Sequence, residues 1–141
     1  MSRIIAIDFG LKRSGIAVTD PLQIIATGLT TIDTKDLMTF LKIYVSKESV
    51  VLIIIGEPKN LNGSDTHATK HVRDTIEQLK KEFPAIPVKS VDERFTSKLA
   101  SAAMIQMGLK KKDRQNKKII DQVAATIILQ EYLMWIQNIG L

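Results

Sequence analysis

The apolar positions in the first quarter of the chain have the spacing of β-strands. Three such segments occur, at residues 3–8, 15–20 and 24–32. The first is an apolar run closed by Asp8, and the third is rich in Ile and Thr, which favour strands. Residues 10–14 predict a hairpin turn, and Gly28 indicates a bulge or an edge position in the third segment. We therefore predict an antiparallel meander of three strands.

After this meander, helical spacing alternates with further strands. Helices are predicted at residues 36–47, 64–83, 96–109 and 118–136, and strands at residues 50–55 and 86–91. Thr34 is a candidate cap for the first helix, Gly108 is a candidate stop for the third, and the last helix is long and amphipathic. This order predicts an α/β fold with a mixed five-stranded sheet, in which three antiparallel hairpin strands precede parallel strands and helices cover both faces.

Length and composition limit the class of protein. The 141 residues suit a single domain over residues 1–141, and the absence of cysteine excludes disulfides, thiolate metal sites and cysteine nucleophiles. The N-terminal segment lacks the long apolar stretch of a signal peptide, and no apolar run approaches the ~20 residues needed to span a bilayer. We expect a soluble, cytoplasmic protein without a membrane partner.

The basic residues are concentrated between the last two predicted helices. The formal net charge of +5 favours anionic partners, but by itself it is weak evidence for nucleic acid. The concentrated cations are Lys110, Lys111, Lys112 and Arg114. Such a run forms either a solvated loop or a loop that contacts phosphates, and its position relative to the acidic residues favours phosphate contact.

Carboxylates follow three of the predicted strands. Asp8 closes the first strand, Glu57 follows the fourth, and the Asp92–Glu93 pair follows the fifth. If these strands run parallel, their ends meet at one edge, where carboxylates repel one another unless cations lie between them. Asp121 begins an otherwise apolar helix face, where burial of a lone carboxylate is costly. The alternatives are that Asp8 caps a turn and that Asp121 interacts with the helix N-terminus.

Oxygen ligands in a chain without cysteine suit Mg²⁺ or Mn²⁺. Two such ions about 4 Å apart can act on the attacking water and the leaving oxygen of a phosphodiester. In this scheme Asp8 bridges the two metals, while Glu93 and Asp121 each complete one site. His67 and His71 lie one helical turn apart, but two histidines without a third ligand are a weak metal signal.

Four motifs occur in order along the chain. They are residues 8–20 (DFGLKRSGIAVTD), 56–64, 92–96 (DERFT), and 121–125 (DQVAA) with 128–130. Together they resemble the YqgF (RuvX) family of bacterial ribonuclease H-like proteins, and the resemblance covers nearly the whole chain. That family is described as Holliday-junction resolvases and as nucleases that mature the 5′ end of pre-16S ribosomal RNA.

The resemblance implies a role for several residues. It makes Asp8, Glu93 and Asp121 the catalytic carboxylates and metal ligands, and it makes Lys12, Arg13 and Arg94 phosphate contacts. Glu57 departs from the family, which usually has an apolar residue at this position. We interpret Glu57 as a solvent-facing substitution in preference to an additional metal ligand.

These features favour a metal-dependent nuclease that acts on structured RNA or branched DNA. Maturation of the 5′ end of pre-16S ribosomal RNA is preferred on family grounds, and resolution of Holliday junctions is the alternative. A non-catalytic nucleic-acid-binding factor and a nucleotide-binding ATPase related to sugar kinases are the competing classes, the latter disfavoured by length. Aromatic residues are few and Trp135 has apolar neighbours, so base stacking is not expected to dominate. The choice between a monomer and a weak homodimer stays open.

Overall fold

The structure is a computed structural model, and it describes residues 2–57, 67–92, 105, 108, 110 and 116–139. The strands are β1 (Arg3–Phe9), β2 (Arg13–Thr19), β3 (Ala26–Asp33), β4 (Val50–Glu57) and β5 (Val88–Asp92). The helices are α1 (Leu37–Lys47), α2 (His67–Glu82) and α3 (Lys117–Ile139), and a 3₁₀ turn (Thr34–Asp36) precedes α1.

The helix predicted at residues 96–109 lies outside the described residues, apart from Ile105 and Gly108. Gly108 has a φ of 76°, and its N–H donates to the carbonyl of Ile105 at 3.0 Å. This left-handed conformation is typical of the residue that follows a helix, as the sequence predicted for Gly108.

The five strands form one mixed sheet in the order β3-β2-β1-β4-β5. The pairs β1–β2 and β2–β3 are antiparallel, whereas β1–β4 and β4–β5 are parallel. The predicted α/β fold with a mixed five-stranded sheet is therefore confirmed. Because β1, β4 and β5 run parallel, their carboxyl ends meet at one edge of the sheet. This is the condition under which the carboxylates that follow these strands were predicted to lie near one another.

Two apolar cores lie on opposite faces of the sheet. On one face, α1 and α2 pack Leu41 and Leu79 against β1 and β4. On the other face, Ala125 and Leu129 of α3 pack against Ala6 of β1 and its neighbours. Residues alternate between faces along each strand, so β1 and β4 are buried on both sides.

The helix α3 differs in one respect from the amphipathic helix that was predicted. Its inner residues are buried, but Met134 and Trp135 are exposed, Trp135 by 55%. The ring of Trp135 lies 5.8 Å from that of Tyr132, and the Nζ of Lys89 lies 5.9 Å from the Tyr132 ring centre. Trp135 therefore has apolar neighbours in sequence but is itself exposed.

By length and composition alone, the segment Lys117–Gln137 of α3 could cross a membrane. The core helix of a globular domain passes the same test. Here Ala125, Ile128 and Leu129 are buried against the sheet, which accounts for part of the apolar composition of the helix.

Several boundaries differ from the predictions: β2 begins at Arg13, within the predicted turn, and β5 spans Val88–Asp92. Two further differences have identifiable reasons. The strand β3 begins at Ala26, because the amides of Ile24 and Ile25 donate to the carboxylate of Asp20 in the preceding turn. Thr34 is not the cap of α1: Asp36 stands at that position, and the Thr34 hydroxyl donates to the carbonyl of Gly10 at 2.6 Å. The prediction of a bulge or an edge position at Gly28 is confirmed on both counts, since β3 is an edge strand and the β2–β3 register shifts between Ile16 and Ala17, next to this glycine.

The first turn of α3 makes a very close approach to β2. A Cβ atom on Gly15 would collide with the carbonyl of Asp121 and would lie 2.9 Å from the amide nitrogen of Gln122. The hydroxyl of Thr31 on β3 donates to the carbonyl of Lys118 at 2.6 Å and holds the same turn from the side. Glycine at position 15 is therefore what allows α3 to begin where it does.

We predict that Gly15→Ala lowers the free energy of unfolding by about 1–3 kcal/mol, because the added methyl displaces helix backbone that cannot move alone. Urea unfolding at equilibrium measures the change. Gly28→Ala is the matched control on the neighbouring strand, since its methyl would meet the flexible side chain of Gln122 at 2.8 Å. An equal or larger loss for Gly28→Ala would contradict the assignment.

Candidate functional site

Asp8 lies at the carboxyl end of β1, on the face of the sheet that α3 covers. Ile4 and Ala6 belong to the core on that face, and the alternation of the strand places Asp8 with them. In register, Asp8 is opposite Gly15 of β2 and Gly56 of β4. The residues directly opposite Asp8 in register are therefore both glycines, and Arg13 lies two residues from Gly15 on the same face of β2.

Asp121 reaches this same face through the close approach of α3 to Gly15. Because Gly15 pairs with Asp8 and also contacts the backbone of Asp121, one glycine connects the two acidic residues. The Asp121 side chain is 25% exposed. The structure thus brings together two of the three carboxylates that the sequence predicted to act together.

Arg13 is the cationic partner of Asp121. It lies on the same face of β2 as Gly15 and Ala17, and its Nε lies 3.6 Å from an oxygen of the Asp121 carboxylate. That distance is an ion pair but is longer than a hydrogen bond. Among the described residues, this buried Nε has no hydrogen-bond partner. An arginine beside a carboxylate that retains an unpaired N–H can reorient to donate a hydrogen bond to an anionic oxygen of a ligand.

Burial raises the pKa of the Asp121 carboxyl above its usual value, and the positive charges of Arg13 and Lys117 oppose this shift. The ionised form is therefore held at an energetic cost that Arg13 does not fully offset. A carboxylate in this state gains more than an exposed one from a bound cation. The role of Arg13 as an ion-pair partner was missed by the sequence analysis, although its alternation with Gly15 along the strand could have indicated it.

Glu57 lies at the predicted edge of the sheet but on the other face. Ile53 and Ile55 of the same strand pack in the core under α1 and α2, and Glu57 continues that alternation. Its carboxylate accepts a hydrogen bond from the guanidinium of Arg73 on α2 at 3.2 Å, and its side chain is only 14% exposed. Glu57 is therefore not solvent-facing as expected, and it lies on the opposite face from Asp8.

The other predicted site residues divide into two groups. Lys12, in the β1–β2 turn, and Lys110 are described and exposed. Glu93, Arg94, Lys111, Lys112 and Arg114 lie outside the described residues, so their predicted roles stay predictions. Within the described part of the chain, no group of three or more His, Asp or Glu side chains is placed to hold a metal ion.

The donors that are described fit a hard divalent cation. Asp8 and Asp121 offer only oxygen atoms, which Mg²⁺ and Mn²⁺ prefer, and both lie on the α3 face. His71 lies on α2, which packs on the opposite face, so it does not join this pair. The chemistry of these oxygen donors therefore suits such a cation, and Arg13 lies beside Asp121 as a positive charge.

Comparison with known proteins gives consistent matches over nearly the whole chain. The family model described as "RuvX: Holliday junction resolvase" matches residues 2–134. A protein of Bacteroides thetaiotaomicron named "Putative pre-16S rRNA nuclease" is 56% identical over 94% of this chain and 96% of its own length. A protein of the same name from Flavobacterium psychrophilum is 51% identical over 94% of this chain and 97% of its own length. Among solved structures, YeaZ from Pseudomonas aeruginosa matches with a TM-score of 0.43 and 18% identity, over 77% of this chain and 50% of that chain, which is too remote to inform function.

We predict that Asp121→Asn raises the free energy of unfolding at neutral pH in buffer that contains a chelator. Because burial raises the folded-state pKa of this carboxyl above 3.8, the folded state binds its proton more tightly than the unfolded state does. The wild-type carboxylate therefore destabilises the fold above that folded-state pKa, and the advantage of Asn declines as the pH falls toward 3.8. Urea unfolding at a series of pH values measures this trend.

Asp20→Asn is the control with the opposite sign. Hydrogen bonds from backbone amides, that of Ile25 first, lower the pKa of Asp20, so its stabilising contribution is present at neutral pH and is lost as the pH falls. A loss of stability at neutral pH in Asp121→Asn would show instead that the ion pair with Arg13 outweighs the cost of burial.

Proposed function

Because the chain belongs to the RuvX family, whose model matches residues 2–134, we propose that it is a metal-dependent nuclease that matures the 5′ end of pre-16S ribosomal RNA. The observation that carries this proposal is the convergence of Asp8, Asp121 and Arg13 on one face of the sheet edge. Relatives whose sequences are about half identical to this chain, and nearly as long, are named as pre-16S rRNA nucleases. These names support the choice of ribosomal RNA. We further propose that residues 1–141 act as one domain in the cytoplasm.

In this proposal Asp8, Asp121 and Glu93 hold Mg²⁺ or Mn²⁺. A pair of such ions supplies activation of the attacking water and stabilisation of the leaving oxygen. Asp8 is suited to a position between the two ions because the residues opposite it on both neighbouring strands are glycines. Glu93 directly follows Asp92, the last residue of β5, and β5 ends at the same edge as β1.

Arg13 and Lys12 bind the substrate phosphates in this proposal. The guanidinium of Arg13, whose side chain is 22% exposed, donates to a phosphate oxygen, while its charge also offsets that of Asp121. Lys12 is exposed in the adjoining turn, and its ammonium group contacts the phosphate backbone of the nucleic acid as a point charge. Lys110, Lys111, Lys112, Arg114 and Arg94 are proposed to extend this contact. Recognition through phosphates makes the affinity strongly dependent on salt.

The description of the family as Holliday junction resolvases favours a second substrate, the four-way DNA junction. The same carboxylates would serve both reactions, because each breaks a phosphodiester bond. Symmetric cutting of a junction requires two active sites that face one substrate, and hence a dimer. A cleavage assay that offers both the precursor RNA and the four-way junction therefore decides between the two substrates.

We predict that Asp8→Asn and Asp121→Asn each lower cleavage by at least about 100-fold, since even the residues that only orient metal ligands are worth 10–100-fold. Cleavage is measured with Mg²⁺ or Mn²⁺ on a labelled precursor containing the 16S 5′ end, a four-way DNA junction and plain duplexes. A chelator should abolish cleavage, and added Mg²⁺ should restore it.

Glu57→Gln is the matched control, because it removes a carboxylate from the same sheet edge but from the opposite face. It should retain cleavage within about threefold of the wild type, provided that circular dichroism shows the same fold. Equal loss in Glu57→Gln would contradict the assignment of faces. Binding without any cleavage, weakened by salt, would replace the nuclease by a non-catalytic binding factor.

A further inference from the structure

We propose that Thr34 is a positioning residue that holds the β1–β2 turn, residues 10–12, and thereby presents Lys12 and Arg13 to substrate phosphates. The proposal rests on the proposed function only in that this turn contacts nucleic acid. Thr34 itself does not need to touch the substrate. It lies beyond β3, between that strand and α1, and meets the turn only in the folded protein.

Three contacts connect Thr34 to the turn. Its backbone N–H donates to the carbonyl of Lys12 at 3.0 Å, and its hydroxyl donates to the carbonyl of Gly10 at 2.6 Å. The hydroxyl of Ser14, which is fully buried, lies 2.8 Å from the Thr34 hydroxyl. Thr34 therefore satisfies one carbonyl near each end of the turn.

The direction of the contact with Ser14 follows from the chemistry of the groups. A carbonyl only accepts, so the single hydroxyl hydrogen of Thr34 is committed to Gly10. Ser14 must then donate to the Thr34 oxygen. The result is a chain of hydrogen bonds from Ser14 through Thr34 to Gly10 that crosses the base of the turn.

The turn is too tight to hold its shape by side-chain packing. A Cβ atom on Gly10 would collide with the carbonyl of Arg13, so the chain nearly folds back on itself here. Leu11 at its tip is 56% exposed and adds little packing. Strand pairing of Phe9 with Ser14 and of Arg13 with Asp33 fixes the two sides of the turn, and the hydrogen bonds from Thr34 constrain the direction in which Lys12 leaves it.

A capping role does not account for the Thr34 hydroxyl. The residue before the 3₁₀ turn is Asp33, the residue before α1 is Asp36, and neither helix start has a side-chain capping bond. The hydroxyl bonds to the β1–β2 turn instead. Its loss is expected to affect that turn rather than the start of α1.

The test compares Thr34→Val, which keeps the branched shape and the backbone N–H, with Thr34→Ser, which also keeps the hydroxyl. Thr34→Val should weaken binding of a fluorescein-labelled precursor RNA, or of the four-way junction, by about tenfold in a chelator. The slope of log affinity against log salt should fall by about one, as for the loss of one phosphate contact. If the protein cleaves, KM should rise by a similar factor with kcat changed less. Thr34→Ser should restore most of the affinity.

Thr75→Val is the matched control, because it removes another buried threonine hydroxyl, one that bonds to the carbonyl of His71 within α2. It should lower stability without changing the salt slope. A double-mutant cycle with Lys12→Ala decides whether Thr34 acts through the turn: Thr34→Val should cost clearly less affinity in that background than in the wild type.

Amide hydrogen exchange of residues 10–14 gives a readout that does not depend on cleavage or binding. Thr34→Val should speed exchange in this segment, and Thr34→Ser should not. Unchanged exchange, or faster exchange with unchanged affinity and salt slope, would overturn the proposal. Failure of the wild type to cleave any substrate would contradict the proposed nuclease but leave this test intact.

Discussion

The contact between the backbone of Asp121 and Gly15 is the constraint on which the site depends. No residue with a Cβ fits at position 15 while α3 begins where it does. Because Gly15 also pairs with Asp8, this one contact places a carboxylate from the last helix beside a carboxylate from the first strand. More than a hundred residues separate them in sequence, and only the packing of helix on sheet joins them.

The charges of the two side chains at this site are only partly compensated within the described chain. Burial disfavours the charge on Asp121, and Arg13 compensates at 3.6 Å while its own Nε lacks a hydrogen bond within the described chain. The carboxylate of Asp121 would thus be stabilised by a bound cation and the guanidinium of Arg13 by a bound anion, and the two side chains lie side by side. A metal ion together with a phosphate satisfies both, and such an arrangement is typical of functional sites that cost the fold some stability.

The sheet also separates two sets of charged residues that lie at the same edge. Asp8, Arg13 and Asp121 lie on the face under α3, whereas Glu57 lies under α2 and pairs with Arg73. A difference of one position along β4 decides the face, because successive side chains point to opposite sides. Acidic residues at one edge of a sheet therefore need not form one cluster.

The sequence by itself determined the order of the described elements, the mixed sheet and an irregular or edge position at Gly28, and it selected Asp8 and Asp121 as candidate site residues. These follow from local period, glycine conformation and the cost of burying a carboxylate, which short segments carry on their own. Only the tertiary structure decided that Arg13 pairs with Asp121, that Glu57 lies on the other face and that Thr34 bonds to the β1–β2 turn. Each of these depends on strand register or on contact between distant segments, and no local pattern records which hydrogen-bond or ionic partner a side chain meets after folding.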